Sequence, residues 1–174
     1  MSNFVCMDPI LGAPVASQTG TVQQGVIGNY VDMDDNATGS TNMGAGQFVY
    51  VRGSNVASIG QFVHISNGSA VLLDSANSRA WWPIGVAAGV LSATNVFGWV
   101  QVQGLCDYAT CSNTSVAAGT ANLCLGSTAG QVGSVTALGS RIAGLAVPNS
   151  FTSSQVSLTV YLDFPKLIGI TASN

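Results

Sequence analysis

Residues 46–53 read Gly-Gln-Phe-Val-Tyr-Val-Arg-Gly, and residues 60–66 read Gly-Gln-Phe-Val-His-Ile-Ser. The two stretches share Gly-Gln-Phe-Val and lie fourteen residues apart. Both are rich in β-branched and aromatic residues and are bounded by glycine or turn formers, which is the pattern of a short strand. Successive side chains of a strand point to opposite faces. In the first stretch Phe48, Tyr50 and Arg52 therefore share one face, and Val49 and Val51 the other. Asn67-Gly68 marks a tight turn into a further strand over residues 70–73.

Similar runs recur downstream, over residues 84–91, 97–103, 120–125, 131–136, 142–147 and 155–164. Turn-rich pieces at 92–95, 111–114, 126–130 and 148–150 separate them. Short strands at regular spacing predict an all-β fold, an antiparallel β-sandwich or small barrel. Helix has little support, because Gly, Ser, Thr, Val and Asn dominate and the charged helix formers are scarce. Residues 1–45 differ. They carry Pro9 and Pro14, and two apolar patches, Phe4, Val5 and Met7, then Ile10 and Leu11. Proline interrupts helices and central strands. The expectation is an extended N-terminal arm over 1–45, with one strand near 25–32, ahead of a β-rich domain over 46–174. An apolar arm without a local core packs on a neighbouring subunit.

Composition removes several function classes. Charged residues make up 6% of the 174, against about 25% in an ordinary soluble domain. All seven acidic residues are Asp, and the four basic ones, Arg52, Arg79, Arg141 and Lys166, are scattered. Such a chain cannot neutralise a phosphate backbone, so no nucleic-acid partner is expected. Its 47% hydrophobic residues argue against disorder. The best apolar run, residues 81–91, is too short for a spanning helix and contains Pro83, Gly85 and Gly89. Thirteen aromatics are few for the girdles of a membrane barrel, and no membrane partner is expected. No basic n-region precedes Arg52, which predicts folding in the cytoplasm.

Chemistry-bearing residues are sparse. The single histidine, His64, falls inside a predicted strand, where a satisfied structural imidazole is expected rather than a general base. No G-x-S-x-G elbow, phosphate loop, dinucleotide fingerprint or H-E-x-x-H occurs. Asp32, Asp34, Asp35 and Asn36 form the one acidic cluster. Their spacing does not match a calcium loop, and a solvated turn is the simpler reading. Cys6, Cys106, Cys111 and Cys124 contain no C-x-x-C, and buried free thiols are expected. A Cys106–Cys111 disulfide is the main alternative. No catalytic residue, metal or cofactor is assigned. Trp81 and Trp82 are adjacent, so strand alternation sends one inward and leaves one at a surface, at a subunit contact or stacked on a sugar.

A soluble monomer keeps about a quarter to a third of its surface charged. This chain has too few charges for that, so its surface is Ser, Thr, Asn, Gln, Gly and apolar groups. Such a surface suits a structural protein built into an assembly. The order of segments is telling here. Phe97-Gly98-Trp99-Val100-Gln101-Val102-Gln103-Gly104 is followed by Val116-Ala117-Ala118-Gly119-Thr120, Gly130-Gln131-Val132 and Ile142-Ala143-Gly144-Leu145-Ala146. A terminal strand over 156–163 then closes at Phe164-Pro165. This order, over about residues 44–165, resembles the head-decoration (cement) proteins of tailed bacteriophages. The resemblance implies a β-rich fold on the outer capsid surface of a virion, often trimeric, clamping the major capsid protein of neighbouring capsomers without catalysis. Phe4, Val5, Met7, Ile10 and Leu11 of the arm, with Trp81 and Trp82, are then the candidate capsid or inter-subunit contacts. A fibre or receptor-binding module, a self-assembling jelly-roll coat protein and a carbohydrate-binding β-sandwich are the alternatives.

Overall fold

The structure is a computed structural model that describes residues 4–6, 19–35, 44–56, 58–74, 81–112, 119, 123–133, 141–150 and 157–168. Its described residues form twelve strands. These are β1 (Phe4–Cys6), β2 (Thr19–Gly20), β3 (Tyr30–Asp35), β4 (Gly44–Arg52), β5 (Phe62–Ser66) and β6 (Ser69–Leu72). β7 (Ile84–Ala87), β8 (Phe97–Thr110), β9 (Leu123–Leu125), β10 (Val132–Gly133), β11 (Arg141–Ala146) and β12 (Ser157–Ile168) follow. The fold is all-β, as the recurrent strand signals predict. No helix among the described residues is long and apolar enough to cross a membrane.

The repeated Gly-Gln-Phe-Val stretches become β4 and β5. Asn67 and Gly68, both at positive φ (49° and 73°), make the turn between β5 and β6. That pair of left-handed conformations matches the twist of the flanking strands. Hydrogen bonding then runs β4–β6–β5–β7–β8 and returns from β8 to β4, closing a five-stranded ring. All its pairings are antiparallel except one parallel contact, Arg52 with Ser69.

Alternation along these strands builds two cores on opposite faces of the same wall. Val49, Val51, Val63, Ala70, Ala87, Val100 and Val102 fill the inside of the ring with Val56 and Leu91. Phe48, Tyr50, Phe62, Ile84 and Trp99 point outward into a second, larger core. The division follows side-chain size, because a ring of five strands leaves room only for small residues. The equivalent residues of the repeat take equivalent places: Phe48 and Phe62 in the outer core, Val49 and Val63 inside the ring.

β8 joins the two halves of the molecule. Residues 97–103 belong to the ring, and residues 105–110 run on as the antiparallel neighbour of β12. Gly104 sits at the change, with φ at +100°, where a Cβ would collide with the Ala45 carbonyl and the Gly46 backbone. The side chain of buried Gln101 spans this bend, its Nε2 donating to the carbonyls of Leu105 (3.1 Å) and Gln103 (3.4 Å). Beyond it Cys106 and Ala109 pack with Ile142 and Leu145 of β11 and Leu158, Val160 and Leu162 of β12.

β3 lies at the end of the segment read as an arm. It pairs with β4 along six residues, and its Val31 and Met33 are buried in the outer core. β1 pairs with β3, and β2 pairs with β8. Asp32, Asp34 and Asp35, read as a turn, are strand residues of β3. The alternation Val31, Asp32, Met33 supplies the reason: burying two apolar side chains on one face outweighs the turn preference of the carboxylates between them.

Candidate functional site

The sequence-predicted contact residues fall into three groups. Phe4 and Val5 lie on β1, opposite Asp35 and Asp34, and their side chains are outside the described set. Met7, Ile10 and Leu11 lie outside the described residues. Trp81 and Trp82 precede β7 and lie in no strand, with Trp81 at φ 73°, so the expected strand alternation does not apply to them. Trp81 is 69% exposed, whereas Trp82 is half-buried with its ring 4.6 Å from that of His64.

His64 is buried in β5, but its Nδ1 has no hydrogen-bond partner among the described residues, so the imidazole is not the satisfied one the sequence predicts. Burial pushes its pKa below the ordinary value, and attraction to Asp74 offsets this in part. The imidazole is held neutral at pH 7 beneath Trp82, an arrangement suited to packing rather than to proton transfer. Cys106, Cys111 and Cys124 are buried free thiols, in keeping with the sequence reading. Burial pushes the Cys106 thiol up to about 12 and raises the other two as well. These groups are not poised as nucleophiles, since the thiolate is the reactive form. Among the described residues no three or more His, Cys, Asp or Glu come together as metal ligands.

What the structure does bring together is an aromatic hollow at one mouth of the ring. Tyr30, Trp81, Pro83, Phe164, Pro165 and Lys166 surround it, and the buried Val102 forms part of its floor. Its volume is about 210 Å³. The Tyr30 and Phe164 rings are 6.5 Å apart, centre to centre. The segment carrying Trp81 is pinned to β12: the Trp81 N–H donates to the Leu167 carbonyl at 2.9 Å, and Pro83 bridges to Lys166. Trp81 and Phe164 both have positive φ, 73° and 44°. Bulky residues seldom accept that conformation, which costs about 1–3 kcal/mol each. Both of these strained aromatics are exposed, and both face this one hollow.

A second hollow of about 300 Å³ adjoins the first along β3, because Tyr30 lines one and Asp32 the other. It holds Asp32, Gln47, Gln103 and Tyr161 over the backbone of Gly46 and Gly104. Register aligns four polar residues across four strands here. Asp32 of β3 opposes Gln47 of β4, Gln47 opposes Gln103 of β8, and Gln103 opposes Asp163 of β12. Cross-strand partners share a face, so the row stands on one side of the sheet. Gln47 Nε2 donates to Asp32 Oδ1 at 3.3 Å. Tyr161, 51% exposed, lies beside the row, two residues from Asp163 on the same face of β12.

Of this site the sequence singled out Trp81 and, as a member of the acidic cluster, Asp32. Tyr30, Gln47, Gln103, Tyr161, Asp163 and Phe164 come from four distant segments, and no spacing motif links them. The one local trace is the alternation of β12, where Tyr161 and Asp163 are exposed and Val160 and Leu162 buried. Comparison with protein-family models, curated proteins and solved structures finds no match to this chain.

Proposed function

We propose that this chain is a structural virion protein that binds the outer surface of a phage capsid and stabilises contacts between capsomers. One observation carries the reading. With 6% charged residues, the chain keeps apolar side chains such as Val22, Val26, Trp81 and Tyr161 in solvent. A surface of that kind is more stable covered by partners than standing free. The resemblance of the segment order to head-decoration proteins points to the major capsid protein as the partner. Copies repeated over a lattice, as homotrimers, convert modest single contacts into high avidity. The reading requires no catalytic residue and no cofactor. It places folding in the host cytoplasm and the finished protein on the virion exterior.

Within this reading the arm residues Phe4, Val5, Met7, Ile10 and Leu11, with the exposed Trp81, make the contact. Trp82 is occupied against His64 inside the fold. β1 and β2 are sheet strands, so truncating the arm would also damage the sheet. Point substitution is the sounder test. Ile10→Ser with Leu11→Ser should abolish co-sedimentation with empty shells built from the neighbouring capsid gene product, while the melting temperature holds. Unchanged co-sedimentation would reject the contact. Light scattering of the isolated protein should give a trimer or monomer, and shell-sized particles would make it a coat protein instead.

A further inference from the structure

We infer that the face shared by β3, β4, β8 and β12 is a binding site for a neutral oligosaccharide. The inference does not rest on the capsid reading, although exposed Trp81 and Tyr161 figure in both. Three features specify the ligand class. Exposed rings of Tyr30, Trp81 and Phe164 at one end and Tyr161 at the other offer flat apolar surfaces. A sugar ring has an apolar C–H face that covers such a surface while its hydroxyls point aside. Between the aromatics, the row Asp32, Gln47, Gln103, Asp163 offers two carboxylates that accept and two amides that both donate and accept. That mixture matches hydroxyls, each of which donates once and accepts twice. Both Asp are exposed and both Gln half-buried, so the row is accessible to a ligand.

Charge and size narrow the choice further. The two carboxylates repel sulfated or uronic chains, and Lys166, the one cation among the described residues lining the two hollows, stands at the far aromatic end. A protein partner fits the face less well, since the centres of protein interfaces are depleted in Asp and this row would sit at the centre. The two hollows, about 210 and 300 Å³, lie at or below the lower end of the usual range for small-ligand sites, about 300–1,000 Å³. Tyr30 and Asp32 are two residues apart on β3, so the hollows are offset by about 7 Å along the strand. Two shallow sites in line suit successive rings of a sugar chain better than one compact molecule. The strained backbone at Trp81 and Phe164 fits the same purpose, because strain of this kind is retained where it presents a side chain for use.

The test uses the isolated full-length protein, saturation-transfer NMR and tryptophan fluorescence. The probes are neutral oligosaccharides of glucose, galactose, mannose and N-acetylglucosamine, with heparin fragments and polysialic acid as anionic controls. At least one neutral series should bind with Kd of about 1 mM or tighter and perturb tryptophan emission. Trp81→Ala and Gln103→Ala should each weaken it about tenfold or more with unchanged melting temperature, and Trp81→Tyr should retain most of it. The proposal fails if no neutral probe binds at about 10 mM, if binding survives both alanine variants, or if the anionic probes bind better. It fails equally if Trp81→Ala abolishes shell binding and no sugar binds, because the face is then a protein contact. Loss of shell binding through the arm variant alone leaves the sugar result standing, so the two readings fail separately.

Discussion

Gly104→Ala tests the bend that joins the ring to the second half of the molecule. Two costs combine there. An alanine at φ +100° carries the left-handed penalty of about 1–2 kcal/mol. Its Cβ would also strike the Ala45 carbonyl and come within 2.7 Å of the Gly46 Cα. Backbone cannot swing aside as a side chain can, so β4 and β8 must separate, at about 1–3 kcal/mol. The sum is about 2–5 kcal/mol, a large share of the 5–15 kcal/mol that holds a typical domain folded. A loss of about 3 kcal/mol lowers the melting temperature by about 6–12 °C in a chain of this size. Gly28 is the control. Its φ is +90°, but an added Cβ there meets nothing within 4 Å among the described residues. Gly28→Ala therefore isolates the conformational penalty from the collision. Calorimetry of both variants should show Gly104→Ala the less stable by about 1–3 kcal/mol. Equal losses would refute the close crossing of β4 over β8 and, with it, the floor of the second hollow.

Three further outcomes are expected. Burial lowers the His64 pKa in the folded state, so the unfolded chain binds its proton more readily. The stability tied to neutral His64 is therefore present above the unfolded pKa, about 6.5, and falls as pH drops below it, by at most about 1.4 kcal/mol per pH unit. Urea melts from pH 7 to 5 should show a shallower decline for His64→Gln, and parallel declines would reject the buried neutral imidazole. In a Cys6→Ser background, the raised pKa values of Cys106, Cys111 and Cys124 predict negligible labelling by a disulfide reagent in the native state and full labelling in denaturant, read by mass spectrometry. Rapid native labelling would contradict their burial. Phe48→Ala and Phe62→Ala should each cost about 3–5 kcal/mol in urea unfolding, because both rings are fully buried in the outer core. Val22→Ala, at an exposed position, should cost less than about 0.5 kcal/mol.

Local signals were legible in the sequence because they are local. The Gly-Gln-Phe-Val repeats gave β4 and β5, and Asn67-Gly68 gave the turn to β6; the adjacent tryptophans were read by strand alternation, but they lie in no strand. Closure of the ring was not legible. It depends on β8 pairing with β4 and β7 at registers that involve sequence-distant residues, and no short window records that choice. Nor did composition show which face each valine would take, since Val49 and Val86 look alike in a strand but enter different cores. The polar row is hidden for the same reason. Asp32, Gln47, Gln103 and Asp163 become neighbours only through three inter-strand registers. Asp32 read as part of a turn because local propensity was weighed without the pairing that makes β3 a strand.

The placement of β8 across both halves also orders events during synthesis. The strands of the ring are drawn from one continuous stretch, β4 to the first part of β8, so the ring can close once residues 44–103 have left the ribosome. Residues 105–110 of the same strand take their strand partner later, from β12 at 157–168, although the Thr110 N–H donates to the Gly60 carbonyl of the earlier stretch. Until that segment emerges, Cys106 and Ala109 lack the side chains that cover them. The nascent chain thus carries a closed ring with an uncovered strand end, an edge open to pairing with another copy. Slow translation between residues 110 and 157 would prolong that exposure, and yield of soluble protein should depend on it.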